Sequence, residues 1–269
     1  MSKSKKRPIP VFDHPIIETH CHLDYLKEQS IEDTVATAAE KNIEKIITIA
    51  VSGDNLETVM DIATKQNLDR VYGTQGIHPH QAEDFNDDVE KQIRSNAQHE
   101  RIRAIGEIGL DYFYDHCDRE IQLNAFRKQL QIASEMDLPV VIHSREADED
   151  TITVLKEFES TLKRRGVIHS FTSGPGLAQY AIEQGFYLGF NGICTFNKAE
   201  NVRDIIRMTP LDNIILETDS PYLTPVPYRG KENAPCYIPF VAEKVAEVKG
   251  ITVEELLPIA YQNSQALFF

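Results

Sequence analysis

No apolar run in this sequence approaches the roughly 18 consecutive residues that a membrane-spanning helix needs. Residues 1–7 are basic and polar and no apolar stretch follows them, which argues against a secretory signal peptide. Cysteines are few: Cys21, Cys117, Cys194 and Cys236 form no CxxC pair and no disulfide-like framework, so a reducing, cytoplasmic location is expected. Positive charge is also short, with 28 Lys and Arg against 42 Asp and Glu and a formal net charge of −14. That balance argues against a protein that coats DNA nonspecifically through a basic face. It leaves open an enzyme acting on nucleic acid, because a cleft that binds divalent cations makes its own positive field. The glycine-rich turn of a dinucleotide fold is missing, as are a GxxxxGK[ST] loop, low-complexity segments and short repeats.

What is present fits one large core. The chain has 269 residues, 41% hydrophobic and 26% charged, ordinary values for a globular enzyme. Residues 1–13 read as a short basic tail, with Lys3, Lys5, Lys6 and Arg7 solvated, and residues 14–269 as a single domain. Eight apolar, β-rich runs fall at 16–18, 45–51, 71–76, 102–107, 139–143, 166–169, 186–189 and 213–217. Amphipathic stretches such as 31–41, 56–66 and 122–136 separate them. Several of the runs are nearly all apolar, as parallel strands buried on both faces are. The alternation predicts an α/β protein, a single (β/α)8 TIM barrel, with an open doubly wound sheet as the alternative. Residues 219–235 carry four prolines and no period, and read as a long rim loop.

Ligand-type residues fall at the ends of these runs. The first leads into His20-Cys21-His22, where alternation turns the two imidazoles to one side and Cys21 to the other, as packing. The fourth leads into Glu107, the fifth ends at His143, the sixth at His169, and the eighth runs into Glu217-Thr218-Asp219. In a barrel these C-terminal ends meet on one face, where active sites sit. Six imidazoles and carboxylates gathered there point to cations, since buried charges are costly unless compensated. Nitrogen and oxygen donors without thiolate suit Mg, Mn, Zn or similar ions, and six are enough for two metals sharing one carboxylate. His78 and Arg145, just past the third and fifth runs, could hold a phosphate oxygen. Tyr222, Arg229, Lys231 and Asn233 could line the rim loop, Tyr222 by stacking on a base. His80 is a weaker candidate, and the Tyr112-Phe113-Tyr114 patch before His116 reads mainly as packing.

At these residues the sequence resembles the TatD family of metal-dependent hydrolases. The shared text is Glu18-Thr-His-Cys-His-Leu-Asp24, Gly76-Ile-His-Pro-His80 and Ala104-Ile-Gly-Glu-Ile-Gly-Leu-Asp111. It continues with Pro139-Val-Val-Ile-His-Ser-Arg-Glu-Ala147 and Gly166-Val-Ile-His-Ser-Phe-Thr-Ser-Gly174. The strongest block is Glu217-Thr-Asp-Ser-Pro-Tyr-Leu-Thr-Pro225 with Arg229-Gly-Lys-Glu-Asn233. Glu18 stands where the family often has Asp, and Asn191 where Ser is frequent.

The resemblance implies an amidohydrolase-like barrel with two divalent metal ions. His20, His22 and Asp219 would hold one, His143 and His169 the other, and Glu107 would bridge them. It implies a nuclease that hydrolyses phosphodiester bonds of DNA or RNA, as an exodeoxyribonuclease, with Asp219 and Glu107 catalytic. Asp219 would orient the nucleophile and accept its proton. His78, Arg145, Tyr222 and Arg229 would contact the nucleic acid substrate. Neither a membrane nor a stable protein partner is implied. The alternatives are an amide or ester hydrolase of the same superfamily, such as a D-aminoacyl-tRNA deacylase, and a non-catalytic barrel that only binds.

Overall fold

The computed structural model describes residues 6–114 and 116–269; Lys3 and Lys5 lie outside the described residues. Eight strands form one sheet in sequential order: β1 (Ile16–Cys21), β2 (Ile43–Thr48), β3 (Val71–Gln75), β4 (Ile102–Asp111), β5 (Val140–Arg145), β6 (Gly166–Ile168), β7 (Tyr187–Phe190) and β8 (Ile214–Leu216). All adjacent pairs are parallel. Closure comes just past the end of β8, where the Asp219 amide donates to the His20 carbonyl (2.8 Å) and the His22 amide to the Ser220 carbonyl (2.7 Å). The expected TIM barrel is therefore the fold, and the open sheet is not.

Helices follow the strands: α1 (Ile31–Ala39), α2 (Leu56–Thr64), α3 (Asp87–Asn96), α4 (Arg119–Met136), α5 (Asp148–Glu157), α6 (Pro175–Glu183), α7 (Glu200–Met208), α8 (Ile238–Lys249) and α9 (Val253–Phe268). Their ends carry local signals. Ser30, Asn86 and Asp118 accept first-turn amides, and Thr252 with Glu255 forms a capping box. The α8 helix stops at Gly250, whose φ of 70° favours glycine.

Two apolar layers result. The larger lies between strands and helices and includes Ile43, Ile46, Phe126, Leu130, Leu188 and Val241. The smaller fills the barrel with Ile47, Ile49, Ala104, Val141, Val167 and Ile215. Leu267 and Phe268 of α9 complete it, and Phe269 packs edge-on against Tyr72 at the start of β3 (4.7 Å). The N-terminal end of the barrel is thus plugged, and the C-terminal end carries the cleft.

Strand ends move in ways that matter for the site. The fourth apolar run is bounded at 107 in the sequence, yet β4 continues to Asp111, pairing Gly109 with His143 and Asp111 with Arg145. Gly109 has φ 136°, and a Cβ there would lie 2.0 Å from the His143 carbonyl oxygen. Its role is close strand approach, not termination. The basic tail is not free where it is described: Arg7 pairs with Glu243, its guanidinium lies over Phe240 (4.8 Å), and its carbonyl accepts from the Tyr228 hydroxyl (2.8 Å).

Candidate metal centre

Burial and alternation deliver the side chains to the mouth. His20 and His22 flank Cys21, whose thiol turns away to the Ile47 carbonyl (3.4 Å). Glu107 comes from the middle of β4, His143 from β5, and His169 and Asp219 from positions just past β6 and β8. All six expected ligand residues meet in one place.

Glu107 is at the centre, with its side chain 4% exposed. Its Oε2 lies 3.4 Å from His20 Nε2. Its Oε1 lies 3.0 Å from His143 Nδ1, 2.7 Å from His169 Nε2 and 3.3 Å from His78 Nε2. Asp219 Oδ1 sits on the His20 side, 3.7 Å from His20 Nε2 and 3.6 Å from His22 Nε2. The two oxygens of one carboxylate therefore face two different groups of donors.

Hydrogen bonds outside the cluster fix which nitrogen each ring presents. His143 Nε2 donates to Asp111 (2.9 Å), leaving the Nδ1 lone pair inward. His22 Nδ1 donates to the Ile49 carbonyl (3.3 Å), leaving Nε2 toward Asp219. His78 differs: its Nδ1 accepts the His80 amide (3.1 Å), so in the neutral ring the Nε2 facing Glu107 carries the proton. By distance His78 groups with Glu107 and His143. By tautomer it is a donor rather than a ligand, and burial holds its pKa down at about 4, so it stays neutral.

The charges are mutually dependent. Burial opposes ionisation of Glu107, but the His169 and His78 imidazoles beside it hold its pKa well below the carboxylate range. Burial likewise opposes the charge on His169, and the Glu107 carboxylate outweighs it and raises that pKa well above 6.5. His22 and His143 are raised against burial by Asp219 and by Asp111 with Glu107. His20 is lowered, by burial and then by His169 stacked on it at 3.9 Å.

The donor set fits cations on a second ground. Both ring nitrogens of His20, Nδ1 of His169 and Oε2 of Glu217 are buried with no hydrogen-bond partner in the described protein. Orphaned buried donors and acceptors are costly and need an explanation. Bound cations would satisfy the nitrogens that face the cleft.

Three supporting carboxylates were not singled out from the sequence as site residues. Asp111 is fully buried and bridges His143 and His80 (3.0 Å) while accepting the amides of Phe113 and Tyr114. It lies two and four residues past Gly109 and Glu107 on one strand, so alternation could have found it had the strand been run on. Glu18 accepts the amides of His20 (3.0 Å) and Thr218 (2.9 Å), tying β1 to β8 behind the ligands, and burial pushes its pKa up to about 8. Glu217 accepts the amide of Ser170 (2.7 Å) and reaches toward His169 Nδ1 (3.7 Å). A Cβ on Gly189 would lie 2.4 Å from Glu217 Oε2, so glycine makes room for this carboxylate.

A cleft of about 750 Å³ opens over the cluster, lined also by Tyr25, Tyr114, Arg145 and Tyr222. Arg145 lies over the rings of Phe113 (3.9 Å) and Tyr114 (4.6 Å). Tyr222 is 54% exposed at the rim. Arg229 packs on Phe196 (3.8 Å) and is not among the residues lining the cleft. Asn233 is fully buried and pins the rim loop by donating to the Thr218 carbonyl (2.9 Å). It is therefore a structural tie and not a surface for substrate. No helix of the described residues is long and apolar enough to cross a membrane.

A family model described as "TatD related DNase" matches residues 17–269. The metal-dependent hydrolase YcfH of Escherichia coli is 38% identical over 257 residues, covering 94% of this chain and 95% of that protein. The 3'-5' ssDNA/RNA exonuclease TatD of Erwinia amylovora is 32% identical over 242 residues, covering 88% of this chain and 93% of that one. The crystal structure of YJJV, a TatD homologue from Escherichia coli, superposes with a TM-score of 0.87 at 30% identity, covering 94% of this chain and 97% of that one. The chain therefore belongs to the TatD-related family of metal-dependent hydrolases.

Proposed function

We propose that this protein is a nuclease that hydrolyses phosphodiester bonds of DNA, and of RNA, from a chain end, with two divalent cations as cofactors. His20, His22 and Asp219 would hold one cation and His143 and His169 the other, with Glu107 shared. The observation that carries the reading is Glu107 itself, with Oε2 toward His20 and Oε1 toward His143 and His169. The relative named as a 3'-5' ssDNA/RNA exonuclease supports the choice of substrate. Bound divalent cations activate water and offset phosphate charge.

The chain's own residues supply the rest. Asp219 is the more exposed of the two central carboxylates, 14% against 4% for Glu107, so it can both ligate and take the proton of the attacking water at a carboxylate oxygen. His78 lines the cleft and stays neutral; its Nε2–H lies 3.3 Å from Glu107 Oε1, and a phosphate oxygen would share that donor with the carboxylate. Arg145 offers paired donors to the same group. Asp111, through His143 and His80, positions rather than reacts.

The test is removal of metal by chelation, followed by separate return of Mg, Mn, Zn and Co, with cleavage of end-labelled single-stranded DNA as the readout. Activity should vanish and return with at least one ion. Turnover by fully stripped enzyme would refute the reading. A parallel assay on an aminoacyl ester decides against hydrolysis at carbonyl carbon if the oligonucleotide is the better substrate. In Glu107→Ala both the metal content per chain and the rate should fall. Unchanged stoichiometry would show that Glu107 is not shared.

A further inference from the structure

We propose that Glu217 is a positioning residue shared by the two cation sites: its buried carboxylate accepts the Nδ1 protons of both His20 and His169 and so turns both Nε2 lone pairs toward the cleft. The inference rests on the two-cation reading above and extends it to a residue placed behind the ligands.

The His20 and His169 rings lie face to face, with centroids 3.9 Å apart and planes 4° from parallel. Each points its Nε2 at Glu107, His20 at Oε2 (3.4 Å) and His169 at Oε1 (2.7 Å). A neutral imidazole carries one proton, so a ring that gives its Nε2 lone pair to a cation holds that proton on Nδ1. Both Nδ1 atoms are buried, and neither has a hydrogen-bond partner in the described protein. A buried N–H without an acceptor is costly. Cations in the cleft cannot relieve that cost, because each would sit at the opposite side of the ring.

Glu217 supplies the acceptor. It is fully buried, and one of its oxygens and a nitrogen of each ring lie within 4.8 Å of one another. Its Oε1 receives the Ser170 amide (2.7 Å) and the Asn191 side-chain amide (3.2 Å) and faces His169 Nδ1 at 3.7 Å. Asn191 is oriented for this, since its own Oδ1 accepts the Ile193 amide (3.1 Å). Oε2 is buried without a partner in the described protein, as is His20 Nδ1, so one free acceptor stands against one free donor. Gly189 keeps that oxygen clear, because a Cβ there would lie 2.4 Å from it. The two stacked imidazoles thus span two carboxylates, Glu107 at the cleft and Glu217 behind. Glu107 is shared between the cations directly; Glu217 is shared through one ligand ring of each. An outer carboxylate of this kind fixes ring tautomer and orientation.

The experiment reads ring protons in the zinc-loaded protein by NMR of nitrogen-labelled histidine, beside zinc affinity and rate. In the wild type, His20 and His169 should both carry the proton on Nδ1, each with a far-downfield hydrogen-bonded signal. Glu217→Gln keeps the size of the side chain but only one acceptor oxygen. The Ser170 and Asn191 donors hold that oxygen at the Oε1 position, so the new NH2 group faces His20. The His20 proton should then move to Nε2, and the cation held by His20, His22 and Asp219 should bind roughly 10- to 100-fold more weakly, with the other site little changed. A merely structural role would lower the melting temperature and leave tautomers and zinc affinities as they are. Glu18, whose Oε2 is also buried and unpaired, is the rival acceptor, and Glu18→Gln is the control. A wild-type His20 or His169 without a proton on Nδ1 would overturn the role of Glu217 and decides alone if Glu217→Gln does not fold. Unchanged tautomers and affinities in Glu217→Gln, or a His20 tautomer change in Glu18→Gln instead, would overturn it while leaving the two cations in place. A wild-type protein that binds neither zinc, magnesium, manganese nor cobalt would overturn the two-cation reading as well.

Discussion

Asp111 shows how much a single residue outside the ligand set can decide. It takes the Nε2 protons of His143 and His80 and so turns the His143 Nδ1 lone pair toward Glu107. Its own pKa is held well below the carboxylate range: His143 and His80 overcome the opposing effect of burial. We expect Asp111→Asn to leave the fold in place but weaken metal retention and cut kcat by roughly 10- to 100-fold, the range found for partners that orient ligands. Metal titration beside the rate checks this, and a normal metal affinity would deny Asp111 that role. His78 was expected to meet substrate, and its tautomer accords with that role despite its ligand-like distance from Glu107. Such a distinction depends on the His80 amide two residues on, a contact that residue types alone do not reveal.

At the scale of elements, β4 is the decisive strand. It carries Glu107 and Asp111, and it can do so only because Gly109 lets it run close to β5. Gly109→Ala should destabilise the protein by about 3 kcal/mol or more, from the strained φ together with the overlap on the His143 carbonyl. Denaturant unfolding measures this, and a near-neutral effect would mean that β4 does not need the glycine there. The eight runs and their order were legible because apolar patches recur with helix-length spacing. Their ends were not, since an apolar run shows where a strand is buried but not where its pairing stops. The β4 extension and the short β6 and β8 are set by their neighbours' register.

On the scale of the whole molecule, the metal centre couples protons to cations. The carboxylates of Glu107, Asp219 and Asp111 raise the pKa values of His22, His143 and His169 against burial, so protons compete with a cation for these imidazole nitrogens. We therefore expect metal binding at about pH 7 to release protons, and apparent affinity to rise with pH. Calorimetry of metal binding in buffers of different ionisation heat gives the number, and a binding heat independent of buffer would contradict it. The sequence by itself determined the barrel and the identities of its six ligand-type residues, because strand periodicity and the position of each residue at a strand end are local properties of the chain. Only the tertiary structure decided which oxygen of Glu107 faces which imidazole and which ring nitrogens are orphaned. Those depend on barrel closure, which brings together residues more than a hundred positions apart.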